Sequence, residues 1–102
     1  MADRSNFGAG LRRARRAKRM TQEDFGDPSS RTYVSMLERN VRSPTLAKIV
    51  ELSNTLGIHP LSLLALAFVK SSSPNEMEKL LAEVQTETEA ILRAAQDQKP
   101  IR

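Results

Sequence analysis

The chain has 102 residues, with sixteen Lys and Arg against twelve Asp and Glu, a formal charge of +4 and no cysteine. That length supports one domain burying about two-thirds of its unfolded surface. The absence of Cys excludes a disulfide scaffold and a thiolate nucleophile, and a single His and a single Tyr leave a triad or a His-rich metal site without partners. The composition therefore argues against an enzyme and calls for no cofactor or metal.

The opening MADRSNFGAG has no apolar stretch and does not read as a signal peptide. Phe7, Leu11, Ala14 and Lys18 then recur at three- and four-residue spacing, predicting a first helix over 5–18 with a narrow buried face. Thr21 and Asp24 form a capping-box-like pair opening a second helix, anchored by Phe25 and broken within about two turns by Gly26, Asp27 and Pro28. Ser30 is placed to cap a third helix running to Arg39, with Val34 and Leu37 facing inward and Asn40 able to end it in the left-handed conformation.

Leu46, Ile49, Val50, Leu52, Ser53 and Leu56 predict an amphipathic fourth helix stopped by Gly57. His59 and Pro60 are N-cap and first position of a fifth, apolar nearly all round, which must be central to the core or half covered by a partner chain. A lone His before Pro at a helix start reads as a cap rather than a metal ligand. After three serines, the sequence from Ser73 to Glu76 opens a sixth helix reaching about Gln96. Its stripe Met77, Leu80, Leu81, Val84, Thr88, Ile91, Leu92 and Ala95 packs on its own domain or on its twin in a dimer. The chain thus reads as all-α: a helical domain over 5–69, a C-terminal amphipathic helix over 74–96 that is a candidate dimerisation element, and a flexible tail over 97–102. No run approaches the roughly 18 apolar residues of a membrane span, so the expectation is a cytoplasmic protein with no membrane partner.

The charge is unevenly spread. Residues 1–43 carry ten basic and five acidic side chains, a net of +5, and the remainder carries a net of −1. Six of the eight residues in 12–19 are Arg or Lys, dense enough to attract phosphates. A polyanion is the implied partner; a membrane surface would require a larger apolar face than Leu11, Ala14, Ala17 and Met20 provide.

The second and third helices, short and separated by a tight break, have the arrangement in which one helix enters a DNA major groove while the other braces it. The stretch LRRARRAKRMTQEDF from Leu11, then SRTYVSMLERNVRSPTLAKI from Ser30 and the later LGI, resembles the lambda-repressor-like (Cro/Xre-type) helix-turn-helix family. The resemblance spans about 5–68 and implies a five-helix domain, to which the C-terminal helix is an addition. It departs from the family at 25–29, where the turn is about two residues short.

Carried over position by position, the resemblance implies that Arg31 and Thr32 read base edges, with Ser35 and Met36 further along the same face. An Arg there suits guanine O6 and N7, and a Thr methyl suits a thymine methyl. Gln22 matches a phosphate-bonding position, and Asn40, Arg42 and Ser43 match the phosphate clamp of the following loop. Tyr33 is open to phosphate or base, and Arg12, Arg16 and Arg19 are further phosphate candidates. Arg15 and Glu38 match a pair that braces the third helix instead of touching DNA.

The expectation is a sequence-specific regulator of transcription, a repressor before an activator, binding a palindromic operator in double-stranded DNA as a homodimer. Its interface would draw on Leu64, Phe68, Met77, Leu81, Val84 and Ile91. The alternative is an antitoxin-like or adaptor module whose C-terminal helix grips a protein partner.

Overall fold

The structure, a computed structural model, describes residues 5–26, 28–70 and 73–97, those at 28–30 as backbone only. In chain order it has α1 (Phe7–Ala17), a 3-10 helix (Gln22–Phe25), α2 (Pro28–Glu38), α3 (Leu46–Leu56), α4 (Pro60–Phe68) and α5 (Pro74–Asp97). The fold is all-α, with five helical elements in a unit that ends at Lys70 and α5 in a second unit that begins at Ser71. Of the tail read over 97–102, Asp97 closes α5 and the rest lies outside the described residues, as do Ser71 and Ser72.

Each helix starts and stops for a local reason. The Asn6 side chain caps α1 by accepting from Ala9 N at 3.0 Å, and Thr45 caps α3 by accepting from Lys48 N at 3.1 Å. His59 Nδ1 accepts from Leu61 N at 3.0 Å, with Pro60 in the favoured first position of α4. Asn40 follows α2 at φ +58° and Gly57 follows α3 at φ +74°, both left-handed.

Two predicted boundaries are corrected. The second helix is a single 3-10 turn, its Thr21 amide donating to Asp24 at 2.8 Å, because Gly26 at φ +137° ends it at once. Pro28 opens α2 instead of ending its predecessor, which puts Ser30 inside the first turn and not at the N-cap.

The core of the first unit gathers Leu11 and Ala14 of α1, Val34 and Leu37 of α2, Ile49, Leu52 and Leu56 of α3 and Leu63 of α4. Phe7, Met20, Phe25, Tyr33, Ile58, Leu64 and Leu66 pack around them. Lys18 is exposed and leaves the inward stripe of α1 one residue short, since the helix has ended at Ala17. Leu46 (70 % exposed) and Val50 also point outward, so the buried face of α3 is narrower than its apolar pattern. α4 is buried through Leu63 and Ala67, while Leu61 and Phe68 are exposed.

α1 packs most extensively on α4 and also on α2, and two glycines permit the approach. A Cβ on Gly10 would lie 2.9 Å from the backbone of Leu66 and Ala67, and one on Gly8 would lie 2.4 Å from the Glu38 carbonyl oxygen. The second unit is α5, 24 residues long, on which Leu81, Val84, Ile91 and Leu92 are exposed. No single helix among the described residues is long and apolar enough to cross a membrane.

Candidate nucleic-acid interface

The end of α2 is fixed by a buried carboxylate. Glu38, whose side chain is 2 % exposed, receives the Arg15 guanidinium as a fork: Nε donates to Oε2 at 2.6 Å and Nη2 to Oε1 at 3.0 Å. Arg15 Nη1 donates to the Met20 carbonyl at 2.9 Å, so one side chain of α1 holds both α2 and the entry to the 3-10 turn. Burial pushes the Glu38 pKa up, but the hydrogen bonds from Arg15 and then Gln22, with the charges of Arg15 and Arg12, outweigh it and hold the carboxyl below its ordinary value. The same hydrogen bond, opposed by burial and aided by the charge of Glu38, raises Arg15.

Two residues assigned to phosphates on the family pattern also converge on Glu38. Gln22 Nε2 donates to Oε1 at 3.1 Å. Arg12 Nη2 donates to the Glu38 carbonyl at 3.2 Å, with its Nε 3.6 Å from Oε1. Asn40 is engaged as well: its Oδ1 accepts from Gly8 N at 2.9 Å and its Nδ2 donates to Asn6 Oδ1 at 2.9 Å. These side chains tie α1, the 3-10 turn and the exit of α2 together in the free protein. Spacing along the chain gave no sign of this, because the donors come from elements 16 to 34 residues apart.

The other side of α2 faces outward. Arg31, Thr32, Ser35, Arg39 and Gln22 line an open hollow of about 350 Å³. Arg31, Ser35 and Arg39 follow at four-residue steps and therefore share one stripe of the helix. Arg31 lies 3.6 Å from Glu23, both largely exposed, a pairing worth at most about 1 kcal/mol and easily exchanged for another partner. Met36 is half-buried beside this stripe. Arg39, not singled out from the sequence, was detectable there as the residue eight positions beyond Arg31.

Further cations lie on α1, on the loop after α2 and on α3. Arg12, Arg13 and Arg16 line a second open depression of about 240 Å³ on α1, and Arg19 is exposed just beyond the helix. On the loop after α2, Ser43 is exposed, and the Arg42 guanidinium lies 5.6 Å from the centroid of the Tyr33 ring. Lys48 of α3 lies 5.0 Å from the same centroid. Of the residues considered for dimerisation, Leu64 is half-buried against the core and Phe68 exposed; on α5, Leu81, Val84 and Ile91 are exposed and Met77 is half-buried. No group of three His, Cys, Asp or Glu suited to a metal exists among the described residues.

The sequence profile of the helix-turn-helix family matches residues 11–63, just over half of the chain. A relative, the uncharacterized HTH-type transcriptional regulator y4dJ of Sinorhizobium fredii, is 40 % identical over 57 residues, covering 54 % of this chain and 74 % of its own. No solved structure matches the chain significantly. The chain belongs to the Cro/Xre-type helix-turn-helix family of DNA-binding proteins, and the matched stretch runs from α1 into α4.

Proposed function

We propose that the protein is a sequence-specific transcriptional repressor that binds a palindromic operator in double-stranded DNA as a homodimer. The observation that carries this reading is the two-sidedness of α2. Val34, Leu37 and Glu38 lock one side into the domain, while Arg31, Thr32 and Ser35 are turned outward around an open, basic hollow. A rigidly held helix with a bidentate donor, Arg31, towards its leading end is what reading base edges in a major groove requires. The name of the relative supports a role in transcription. Repression is the mode that needs occupancy of the operator and nothing more.

Arg31 and Thr32 contact bases, with Ser35 and Met36 beside them, and Arg42, Ser43, Arg16 and Arg19 contact phosphates. Gln22, Arg12 and Asn40, bonded within the protein, first brace the surface that meets the DNA backbone. A titration of a labelled duplex at rising salt tests the reading, since neutralised phosphates give a steep decline of affinity with salt. Arg31→Ala is expected to relax the preference at one base position, and Arg42→Ala to weaken every duplex alike and to flatten the salt slope by about 0.9 per protomer. A binding constant indifferent to both salt and sequence contradicts it.

The apolar stripe of α5 supports dimerisation through that helix, with Leu81, Val84 and Ile91 exposed on it. Val84→Lys is accordingly expected to convert a dimer into a monomer in light scattering and to weaken operator binding. The same stripe favours a second reading, in which α5 grips a different protein as an adaptor or antitoxin does. A monomer that purifies with a stoichiometric second protein would support that alternative.

A further inference from the structure

Tyr33 and Lys48 share an arrangement that the reading of α2 leaves unused. Tyr33 lies beside Thr32 on α2, yet its ring is half-buried against the core, which fixes it in place. Two cations from different elements converge on that ring: Arg42 from the loop at 5.6 Å and Lys48 from the first turn of α3 at 5.0 Å. Both distances fall within the range of about 6 Å over which an aromatic face attracts a cation. Glu51, largely exposed, pairs with Lys48, so Arg42, Lys48 and Glu51 together retain one net positive charge. Two flexible like charges would ordinarily separate; here one fixed ring holds both, one from the loop that follows α2 and one from α3.

Resting on the DNA-binding reading above, we propose that Tyr33 works through the face of its ring, as a post holding Arg42 and Lys48 for one DNA phosphate, and that Lys48 is itself a phosphate-contacting residue. The phosphodiester carries the single negative charge that the cluster lacks. It also accepts from a guanidinium and an ammonium together, as its two non-bridging oxygens can each face one donor. Tyr33 is then a positioning residue: its ring matters and its hydroxyl does not. Lys48 contributes affinity without sequence preference, because a phosphate looks the same at every step.

Fluorescence anisotropy of the full chain, with a duplex of the preferred sequence and a scrambled duplex of equal length, separates the possibilities. Lys48→Gln is expected to flatten the dependence of log K on log salt by about 0.9 per bound protomer, equally for both duplexes. Tyr33→Phe is expected to bind as the unaltered protein does. Tyr33→Leu, checked for a normal melting curve, is expected to lose at least as much affinity as Lys48→Gln, because it releases Arg42 as well as Lys48, and adding Lys48→Gln to it should change little more. An unchanged slope in Lys48→Gln overturns the proposal, even if Tyr33→Leu cannot be purified folded. Loss of binding in Tyr33→Phe also overturns it, by assigning the contact to the hydroxyl. Failure of the unaltered protein to bind any duplex is a different result, which removes the DNA-binding reading and this proposal with it.

Discussion

Glu38→Ala is expected to destabilise the protein by about 3–5 kcal/mol, seen as a large fall in the melting temperature. The cost arises less from the bonds lost than from what remains. Arg15 has a side chain only 13 % exposed, and without Glu38 its guanidinium is a buried charge with one carbonyl partner, Met20. Gln22 and Arg12 lose the same acceptor. Arg15→Ala is milder in one respect, because Gln22 and Arg12 still face the carboxylate. Glu38→Gln keeps the shape and loses the charge, so it falls between the two.

The pH dependence follows from the same carboxylate. Its folded-state pKa lies below the ordinary 4.5, so the stability it contributes is complete above about pH 4.5 and is lost as pH falls through the lower folded value. Melting temperatures measured from pH 6 downward are expected to decline on the acid side. In Glu38→Gln that decline should be shallower, since this titration is absent.

Gly8→Ala is expected to destabilise by about 3 kcal/mol, the upper end of what overpacking costs. Helix propensity alone predicts the opposite sign, since Ala is favoured over Gly inside a helix by about 1 kcal/mol. Sterics win because the added Cβ would lie 2.4 Å from the Glu38 carbonyl oxygen and 2.8 Å from that of Leu37, both backbone atoms at the end of α2. No side-chain rotation relieves such a contact, so α1 and α2 must separate. That separation pulls on the Gly8 to Asn40 hydrogen bond and on the Arg15 to Glu38 fork. Duplex affinity should therefore fall along with the melting temperature, although Gly8 lies on α1 rather than on the reading helix. A variant that melts at or above the original temperature contradicts this account of the α1–α2 junction.

The helix ends were legible because their causes are local: a His-Pro start at 59–60, a left-handed Gly57, an Asn40 able to turn out of α2. The inward positions Leu11, Val34 and Leu37 followed from spacing, whereas the all-round apolar pattern of the fifth helix did not single out Leu63. The bracing helix was not read correctly, since choosing between two α-helical turns and one 3-10 turn depends on where Gly26 takes its positive φ and on Pro28 starting a helix. Leu46 and Val50 were misleading in another way, because an apolar pattern does not say how much of it the neighbouring helices will cover.

Site residues divide along the same line. Family resemblance brought Arg31, Thr32 and Arg42 into view at positions that the structure leaves exposed. It could not reveal that Gln22, Arg12 and Asn40 have internal partners, nor that Lys48 reaches the ring of Tyr33. A carboxylate has room for several donors, and an aromatic face attracts any cation within reach. Which side chains arrive there is decided by packing between elements distant in sequence.

Selection of bound duplexes from a random pool is the most direct test that α2 reads DNA as part of a symmetric dimer. The expected result is an enriched motif of two inverted half-sites whose centres lie about 10–10.5 base pairs, or about 34 Å, apart, or a multiple of that spacing. With Arg31→Ala the same motif should return with one position in each half-site relaxed. A pool that shows no enrichment, or an enriched motif that Arg31→Ala leaves untouched, would contradict the account.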